Sequence, residues 1–253
     1  KYVEMGSEGA YGGYYTKEDI AELVSYAAAR HIELIPEIEM PSHSEEVLAA
    51  YPELGCTGEP YKDSDFCVGN EAVFTFLETV LTEVMEMFPS EYIHIGGDEA
   101  GKEHWKTCPK CQQRMADENI SDVDGLQSYM IHRIGKFIAS KGRKMIGWDE
   151  ILQGGLAPGA VVMSWRGTEG GIEAMAAGHD VIMTPGRYCY LDHAQDAPFK
   201  EPESIGGYLP LDSVYVYEPF EPKMPKDKLN HILGLQANLW SEYIPTDEHA
   251  EYM

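Results

Sequence analysis

The chain has 253 residues, of which 43% are hydrophobic and 25% are charged, proportions ordinary for a globular protein with a sizeable buried core. Its 43 acidic residues against 19 basic ones give a formal net charge of −24, which repels phosphate backbones and anionic lipid headgroups and argues against nucleic-acid and membrane partners. The sequence also has no run of about 20 apolar residues, the length that crosses a bilayer, and no signal-peptide pattern at its start.

Short apolar, β-rich runs alternate with helical patterns along the chain, as is typical of parallel strands joined by crossover helices. The predicted strands cover residues 32–39, 92–96, 144–148, 160–165, 180–184 and 232–239. The sequence therefore predicts an α/β fold, a TIM (β/α)8-type barrel with six of its eight strands. We expect residues 1–253 to form a single catalytic barrel domain that is part of a larger barrel, or else a sheet that is left open.

Helix signals lie between the predicted strands. A turn at Gly12 and Gly13 precedes a helix that Thr16 can cap, and a longer helix follows Asn70. A third covers about 125–140, with Gly142 suited to its C-terminal cap. A short fourth helix covers about 169–177. Residues 192–230 are rich in Pro and Tyr and lack periodicity, which predicts a long excursion with a functional role.

The five cysteines do not predict a disulfide framework in a chain of this length. Cys108 and Cys111 form a Cys-x-x-Cys motif in a loop-like stretch, but a zinc site needs about four ligands and no second pair follows. We therefore expect neither a metal nor a cofactor. Cys56 and Cys67 flank a polar loop and could form a disulfide in an oxidising compartment, whereas Cys189 is expected to be a small buried residue.

Acidic, aromatic and histidine residues follow the end of each predicted strand. They fall in residues 36–43, 94–99, 147–150, 164–167, 188–192 and 238–242. Parallel strands bring their carboxyl ends to one edge of the sheet, so these segments predict one active-site mouth. Trp148, Trp165 and Trp240 all lie there, and indole faces stack on pyranose rings while neighbouring carboxylates accept hydrogen bonds from hydroxyls. The predicted ligand is therefore a sugar, whereas Trp105 is expected to pack within a loop.

Asp98 and Glu99 are neighbours at the end of the second predicted strand. Neighbouring side chains on a strand point to opposite faces, so the two could not face each other across a sugar as acid and nucleophile. The preceding Gly96 and Gly97 let the backbone turn, so that one side chain enters the mouth and the next rises beside it. This pair suits a mechanism in which the substrate supplies the nucleophile.

The segment His94-Ile-Gly-Gly-Asp-Glu99 resembles the signature of the β-N-acetylhexosaminidases of glycoside hydrolase family 20, and the other strand ends agree with it in order and spacing. The resemblance covers nearly the whole chain. It implies a retaining exo-glycosidase that removes terminal N-acetylhexosamines from β-linked glycans through an oxazolinium intermediate, with the 2-acetamido oxygen as nucleophile. It also implies a secreted, periplasmic or lysosomal-like compartment and leaves open the preference for gluco or galacto sugars and the oligomeric state.

The resemblance also implies roles for individual residues. Glu99 would be the general acid and then the base, Asp98 would hold the acetamido N–H, and Tyr190 would hydrogen-bond the acetamido oxygen. The implied substrate-binding residues are Trp148, Trp165, Asp192, Trp240, Glu242 and His43, the last lying near the acid. The chain departs from the family pattern at Glu39 and Ser42, where Asp and Gly are usual. It also lacks the arginine and the His-Trp-His segment of the family's first two strands.

Several alternatives remain open. A conventional two-carboxylate glycosidase would pair Glu99 with Glu39, Asp149 or Glu242. A catalytically incomplete homologue would bind carbohydrate without cleaving it, and a metal-dependent hydrolase is a third possibility. The remaining polar residues also have structural interpretations: His94 as a core histidine, Glu37 as a tie across the barrel top through a backbone or arginine contact, and Arg166 as a partner for one of the acids.

Overall fold

The computed structural model describes residues 3–4, 10–11 and 13–253. Gly12, one half of the turn that the sequence predicts before the first helix, lies outside the described residues. Two short strands, β1 (Val3–Glu4) and β2 (Ala10–Tyr11), pair antiparallel at the start of the chain.

The centre of the fold is a parallel sheet in which the spatial order of the strands follows the chain. Its strands are β3 (Tyr92–His94), β4 (Lys144–Trp148), β5 (Val161–Ser164), β6 (Val181–Met183) and β7 (Ile232–Leu235). All four neighbouring pairs are parallel. Five predicted strands are thus confirmed, each within its expected span, and the arrangement is that of an incomplete TIM barrel.

The first predicted strand, residues 32–39, was wrong as a regular strand. This segment is extended and meets β3 in a single bridge between Glu37 and His94. The His94 N–H donates a hydrogen bond to the Pro36 carbonyl. In the other direction, the Ile38 N–H donates to the His94 carbonyl and the Met40 N–H to the Ile95 carbonyl. Pro36 has no N–H to extend the ladder backwards, so the pairing stays short of a strand.

Nine α-helices occur in the described part of the chain. They are α1 (Lys17–Ala28), α2 (Glu45–Ala50), α3 (Glu71–Met87), α4 (Pro109–Asp117), α5 (Val123–Ser140), α6 (Glu169–Ala176), α7 (Gly186–Cys189), α8 (Leu211–Tyr215) and α9 (Asp247–Tyr252). The predicted helices correspond to α1, α3, α5 and α6. Thr16 caps α1 in a capping box with Asp19, and Asn70 caps α3.

Helix α5 begins two residues before its expected start because the Asp122 side chain accepts a hydrogen bond from the Gly125 N–H at 2.8 Å. Gly142, just beyond the helix, has a φ of +74°, which fits its predicted capping position. Helix α4 occupies the stretch that was expected to be a loop. Pro109 stands in its first turn, where the missing N–H costs no helical hydrogen bond.

The core lies between the sheet and its longer helices. Helix α3 buries Val73, Phe74, Leu77, Leu81 and Val84, and α5 buries a stripe that includes Leu126, Met130, Ile134 and Ile138. This burial fixes the sheet against the helices and leaves the carboxyl ends of the strands to the connecting loops. No helix within the described residues is long and apolar enough to cross a membrane.

Candidate active site

A cavity of about 550 Å³ lies at the carboxyl ends of the strands. All nine residues predicted for the site line it, namely His43, Asp98, Glu99, Trp148, Trp165, Tyr190, Asp192, Trp240 and Glu242. The lining also includes Glu39, which the two-carboxylate alternative had named, and four residues that were not assigned to the site, which are His193, Ile205, Gly206 and Gly207. The tertiary structure therefore brings together residues from seven separate segments of the chain.

Asp98 and Glu99 occupy different depths of this cavity. Gly96 and Gly97 have φ angles of +67° and +94°, and Glu99 itself has a φ of +49°. The backbone thus leaves the strand direction, as the glycines predicted. The Asp98 side chain is 15% exposed and the Glu99 side chain 57% exposed, so Asp98 points inward and Glu99 stands at the rim.

His43 connects these two carboxylates. Its Nε2 atom lies 3.3 Å from Oδ2 of Asp98 and 3.3 Å from Oε2 of Glu99. Burial raises the pKa of Asp98, whereas the nearby His43 acts to lower it. The same ring nitrogen of His43 can therefore hydrogen-bond to either carboxylate, Asp98 inside the cavity or Glu99 at its rim.

Glu39 lies behind Asp98. An added Cβ at Gly96 would come within 1.8 Å of Oε2 of Glu39, so the glycine makes the space that this carboxyl occupies. Burial, together with the negative charges of Asp98 and Glu37, raises the pKa of Glu39 to about 9. Glu39 is therefore neutral at pH 7 and can donate a hydrogen bond to either neighbouring carboxylate.

Trp148 is held in the cavity wall by Glu37. The indole N–H donates to Oε1 of Glu37 at 2.9 Å, and Nδ1 of His94 lies 3.0 Å from the same oxygen. Burial acts to raise the pKa of Glu37, but the hydrogen bond and charge of His94, together with hydrogen bonds to Glu39 and Trp148, lower that pKa overall. Glu37 thus ties the top of the sheet together, although through a tryptophan and a histidine rather than the expected backbone or arginine contact.

The opposite wall depends on a buried acidic pair beneath Trp165. The Trp165 indole N–H donates to Oε2 of Glu150 at 2.9 Å, and Asp149 accepts hydrogen bonds from the backbone N–H groups of Trp165 and Arg166. Arg166 also pairs with the Asp149 carboxylate, as the sequence suggested. Burial raises the pKa of Glu150 to about 7. Neither acid lines the cavity, so both serve to position the indole.

Tyr190 and Asp192 complete the wall beyond β6. A parallel bridge to Asn238 holds Tyr190, with hydrogen bonds of 2.7 Å on either side of it. Its ring lies 6.1 Å from that of Trp165, and burial raises its pKa. Both carboxylate oxygens of Asp192 are buried and have no donor among the described residues. They face the cavity as acceptors available to a ligand's hydroxyl groups.

Comparison with known proteins identifies the family of the chain. The model described as glycosyl hydrolase family 20, catalytic domain, matches residues 2–253. The chain belongs to glycosyl hydrolase family 20. This confirms the family that the His94–Glu99 signature indicated.

Individual family 20 members are similar over almost the whole chain. The β-hexosaminidase of Porphyromonas gingivalis is 50% identical over 251 residues, which are 96% of this chain and 32% of the relative. That of Vibrio furnissii is 36% identical, over 96% of this chain and 42% of the relative. A solved exo β-N-acetylglucosaminidase of Vibrio harveyi in complex with N-acetylglucosamine has a TM-score of 0.86 at 30% identity, covering 100% of this chain and 41% of its own. The chain thus spans between 32% and 42% of the length of these family 20 relatives.

The long excursion between β6 and β7 supplies wall residues that the family 20 signature did not indicate. His193 and the segment 205–207 line the cavity. The ring of His193 packs so closely on Gly207 that a Cβ added to this glycine would lie within 2.6 Å of the ring atoms. The lack of periodicity in residues 192–230 marked the excursion as functional, but nothing in its pattern singled out these positions.

The cysteines contradict the expectation that Cys108 and Cys111 have no second pair of possible ligands. Cys108 and Cys111 do have a second pair of neighbours, because Cys56 and Cys67 lie against them. None of the five cysteines, all of which lie among the described residues, is joined in a disulfide, Cys56 and Cys67 included. Cys189 is buried, as expected. Trp105, close by, is fully buried and donates its indole N–H to the Phe66 carbonyl, so its role is loop packing.

Proposed function

We propose that the protein is a retaining β-N-acetylhexosaminidase that removes a terminal non-reducing N-acetylhexosamine by substrate-assisted catalysis. The observation that carries this proposal is the placement of adjacent carboxylates at two depths of one cavity, Asp98 inside and Glu99 at the rim. Two such groups address different atoms of one sugar, its acetamido group and its leaving oxygen.

The alternative two-carboxylate mechanism needs an ionised nucleophile facing the acid, and none of the three candidates fits that description. Glu39 has a pKa raised to about 9, by burial and by the charges of Asp98 and Glu37, and so is protonated. Asp149 is buried outside the cavity and pairs with Arg166. Glu242 is exposed, which suits a contact with a sugar hydroxyl better than attack at the anomeric carbon.

In the first step, the acetamido oxygen of the substrate attacks its own anomeric carbon while the bond to the leaving oxygen breaks. Glu99 gives its proton to that oxygen. Asp98 accepts a hydrogen bond from the acetamido N–H and stabilises the positive charge that develops on the resulting oxazolinium ring. Tyr190, whose pKa burial raises, stays protonated and donates to the acetamido oxygen.

In the second step, water opens the oxazolinium ring at the anomeric carbon. Glu99 is now ionised and takes a proton from that water. Net retention follows, because two displacements occur at the same carbon. His43 lies within 3.3 Å of both carboxylates and can support Glu99 in its acid form and in its base form.

The remaining wall residues suit a pyranose ring. Trp148 and Trp240 have ring centroids 6.1 Å apart, and Trp165 with Tyr190 forms a second aromatic pair. These four rings can enclose the ring face and the acetamide methyl group. The buried Asp192 and the exposed Glu242 are placed to accept hydrogen bonds from sugar hydroxyls. Because Asp192 is buried, only a sugar hydroxyl that reaches the bottom of the cavity can donate to its carboxylate.

We also propose that residues 1–253 form a single catalytic domain that is part of a larger barrel. The two outer edges of the described sheet expose apolar side chains, including Ile32 and Ile35 on one side and Leu233 and Leu235 on the other. Apolar edges of this kind are normally covered by further structure. Assays therefore use the full-length protein.

The decisive experiment compares aryl 2-acetamido-2-deoxy-β-glucoside and -galactoside with the matching 2-hydroxy glycosides. We expect turnover only when the acetamido group is present, and competitive inhibition by a thiazoline analogue of the oxazoline. Comparable cleavage of a 2-hydroxy glycoside would overturn the mechanism. Tight binding of N-acetylhexosamine without turnover would instead identify a carbohydrate-binding protein. Loss of turnover in EDTA that added metal restores would indicate a metal-dependent hydrolase.

A further inference from the structure

Four cysteines from separate parts of the sequence meet in one cluster outside the candidate active site. Cys56 follows the 3-10 turn Pro52–Leu54, Cys67 lies in the loop before α3, Cys108 caps α4, and Cys111 stands in the first turn of that helix. The Sγ atoms all lie within 4.8 Å of one another. Three of the four residues are buried.

The spacing of the sulfur atoms fits one tetrahedral ion. The Sγ–Sγ distances are 3.8 Å for Cys56 to Cys111, 3.7 Å for Cys67 to Cys108, and 3.7 Å for Cys67 to Cys111. Thiolates placed about 2.3 Å from a tetrahedral Zn²⁺ are separated by about 3.8 Å. A disulfide would instead require about 2.05 Å.

The backbone around the cluster is built for close approach. A Cβ on Gly69 would lie 2.1 Å from the carbonyl carbon of Lys110 and 2.4 Å from the Cys111 nitrogen, so only glycine allows these two turns to pack together. The turns belong to the Cys67 loop and to the Cys108-Pro-Lys-Cys111 segment. The cluster is therefore a junction between two turns rather than a chance approach of surface thiols.

We propose that Cys56, Cys67, Cys108 and Cys111 bind one Zn²⁺ ion. Four cysteine ligands fill the tetrahedral coordination shell and leave no position for water or substrate, which is the pattern of a structural site. Sulfur ligands select a soft or borderline cation such as zinc over Mg²⁺ or Ca²⁺. This proposal does not depend on the proposed glycosidase activity.

The site connects the two loops that bring His43 and Glu99 together. Between these loops, Asp65 accepts a hydrogen bond from the Lys102 N–H at 2.8 Å, and Asp63 lies 2.6 Å from Nδ1 of His104. A metal bound to Cys56 and Cys67 on one side, and to Cys108 and Cys111 at the start of α4 on the other, would join the same two parts of the chain through coordinate bonds. The ion would thus stabilise the frame of the candidate active site from outside it.

The test is metal analysis of the full-length protein, purified without metal-affinity resin and without added metal. Inductively coupled plasma mass spectrometry of the wild-type protein should find about one equivalent of zinc per chain. The Cys111→Ser and Cys56→Ser variants should each lose this zinc. Cys189→Ala serves as the matched control, because Cys189 is a buried free cysteine outside the cluster, and it should retain the full zinc content.

Titration of the wild-type protein with an organomercurial gives a second measurement that does not require the variants to fold. Zinc release, followed with a chromogenic chelator, should be complete when four thiols per site have reacted. After exchange with Co²⁺, the protein should show the visible absorption of tetrahedral thiolate-bound cobalt.

Three results would overturn the proposal. The first is a metal-free protein with reactive thiols at all four positions, and the second is a metal-free protein in which non-reducing peptide mapping finds these cysteines joined as disulfides. The third is a zinc content that both serine variants retain while folded. Any of these could coexist with full hexosaminidase activity, and inactivity of the enzyme would leave a positive zinc result intact.

Discussion

Nε2 of His43 lies 3.3 Å from Oε2 of Glu99, although the two residues stand on loops that follow different extended segments of the sheet. A hydrogen bond at this position can steady the Glu99 side chain, which is more than half exposed. The rim position is what a group that protonates a departing oxygen requires. It also makes the contribution of Glu99 separable from that of Asp98, which points into the cavity.

Glu99→Gln should reduce turnover in proportion to the difficulty of the leaving group. Because Gln cannot give a proton, we expect a loss of about 10²–10⁴-fold with a natural oligosaccharide or a weakly acidic aglycone. The loss should be far smaller with a dinitrophenyl glycoside, whose departure needs little protonation. Steady-state kinetics on a series of aryl glycosides measures this.

The control for that series is Glu103→Gln. Glu103 lies four residues further along the same loop and is exposed, and its one ion pair among the described residues is with Lys106. Its replacement should therefore leave kcat/KM unchanged for every substrate. Equal losses across the series in Glu99→Gln would contradict the general-acid role.

Asp98→Asn should reduce turnover by about 10²–10³-fold irrespective of the leaving group, because in the proposed mechanism the substitution removes the negative charge that would stabilise the oxazolinium ring. The measurement is kcat/KM with the same aryl series, with Asp117→Asn at the exposed end of α4 as the control. A dependence on leaving-group acidity as steep as that of Glu99→Gln would assign Asp98 to proton transfer instead.

Glu39→Gln should reduce the pH dependence of the free energy of unfolding between pH 6 and 9. Burial and neighbouring charges raise the pKa of Glu39 from 4.5 to about 9, so between these values the folded protein holds a proton that the unfolded chain has released. The free energy of unfolding therefore declines as pH rises through this window, by at most about 1.4 kcal/mol per pH unit. Glutamine keeps the neutral hydrogen-bonding group and removes the decline.

Urea unfolding of wild type and Glu39→Gln at pH 6, 7, 8 and 9 measures this effect. The variant should gain stability relative to wild type as pH increases. Glu45→Gln, at an exposed position in the first turn of α2, is the matched control and should follow the wild-type curve. Parallel curves for wild type and Glu39→Gln would mean that Glu39 is already ionised at neutral pH.

Gly96→Ala should destabilise the protein by about 2 kcal/mol or more. The residue has a φ of +67°, where a side chain costs about 1–2 kcal/mol, and the new Cβ would displace the Glu39 carboxyl. Gly234→Ala in β7 is the control, since its Cβ meets no atom within 4 Å; it should change the free energy of unfolding by less than about 0.5 kcal/mol. Equal effects of both substitutions on denaturant midpoints would rule out a special role for the Gly96 turn.

Much of the fold and the candidate site could be predicted from local sequence. Periodicity located five strands and four helices, and the carboxyl ends of parallel strands must meet at one edge, so Asp98, Trp148 and Trp165 could be expected in one cavity. The prediction failed at residues 32–39. There the apolar pattern is that of a strand, but Pro36 and the lack of a described partner on the other side limit the pairing to one bridge.

The sequence by itself determined the order of the elements, the turn at Gly96 and Gly97, and the chemistry collected at the strand ends, because these depend on neighbouring residues and on parallel geometry. Only the tertiary structure decided which distant loops touch. It placed Glu39 against Asp98, where desolvation sets its charge, and brought Cys56 and Cys67 to Cys108 and Cys111. Such contacts depend on how long connections pack, and no local pattern encodes that packing.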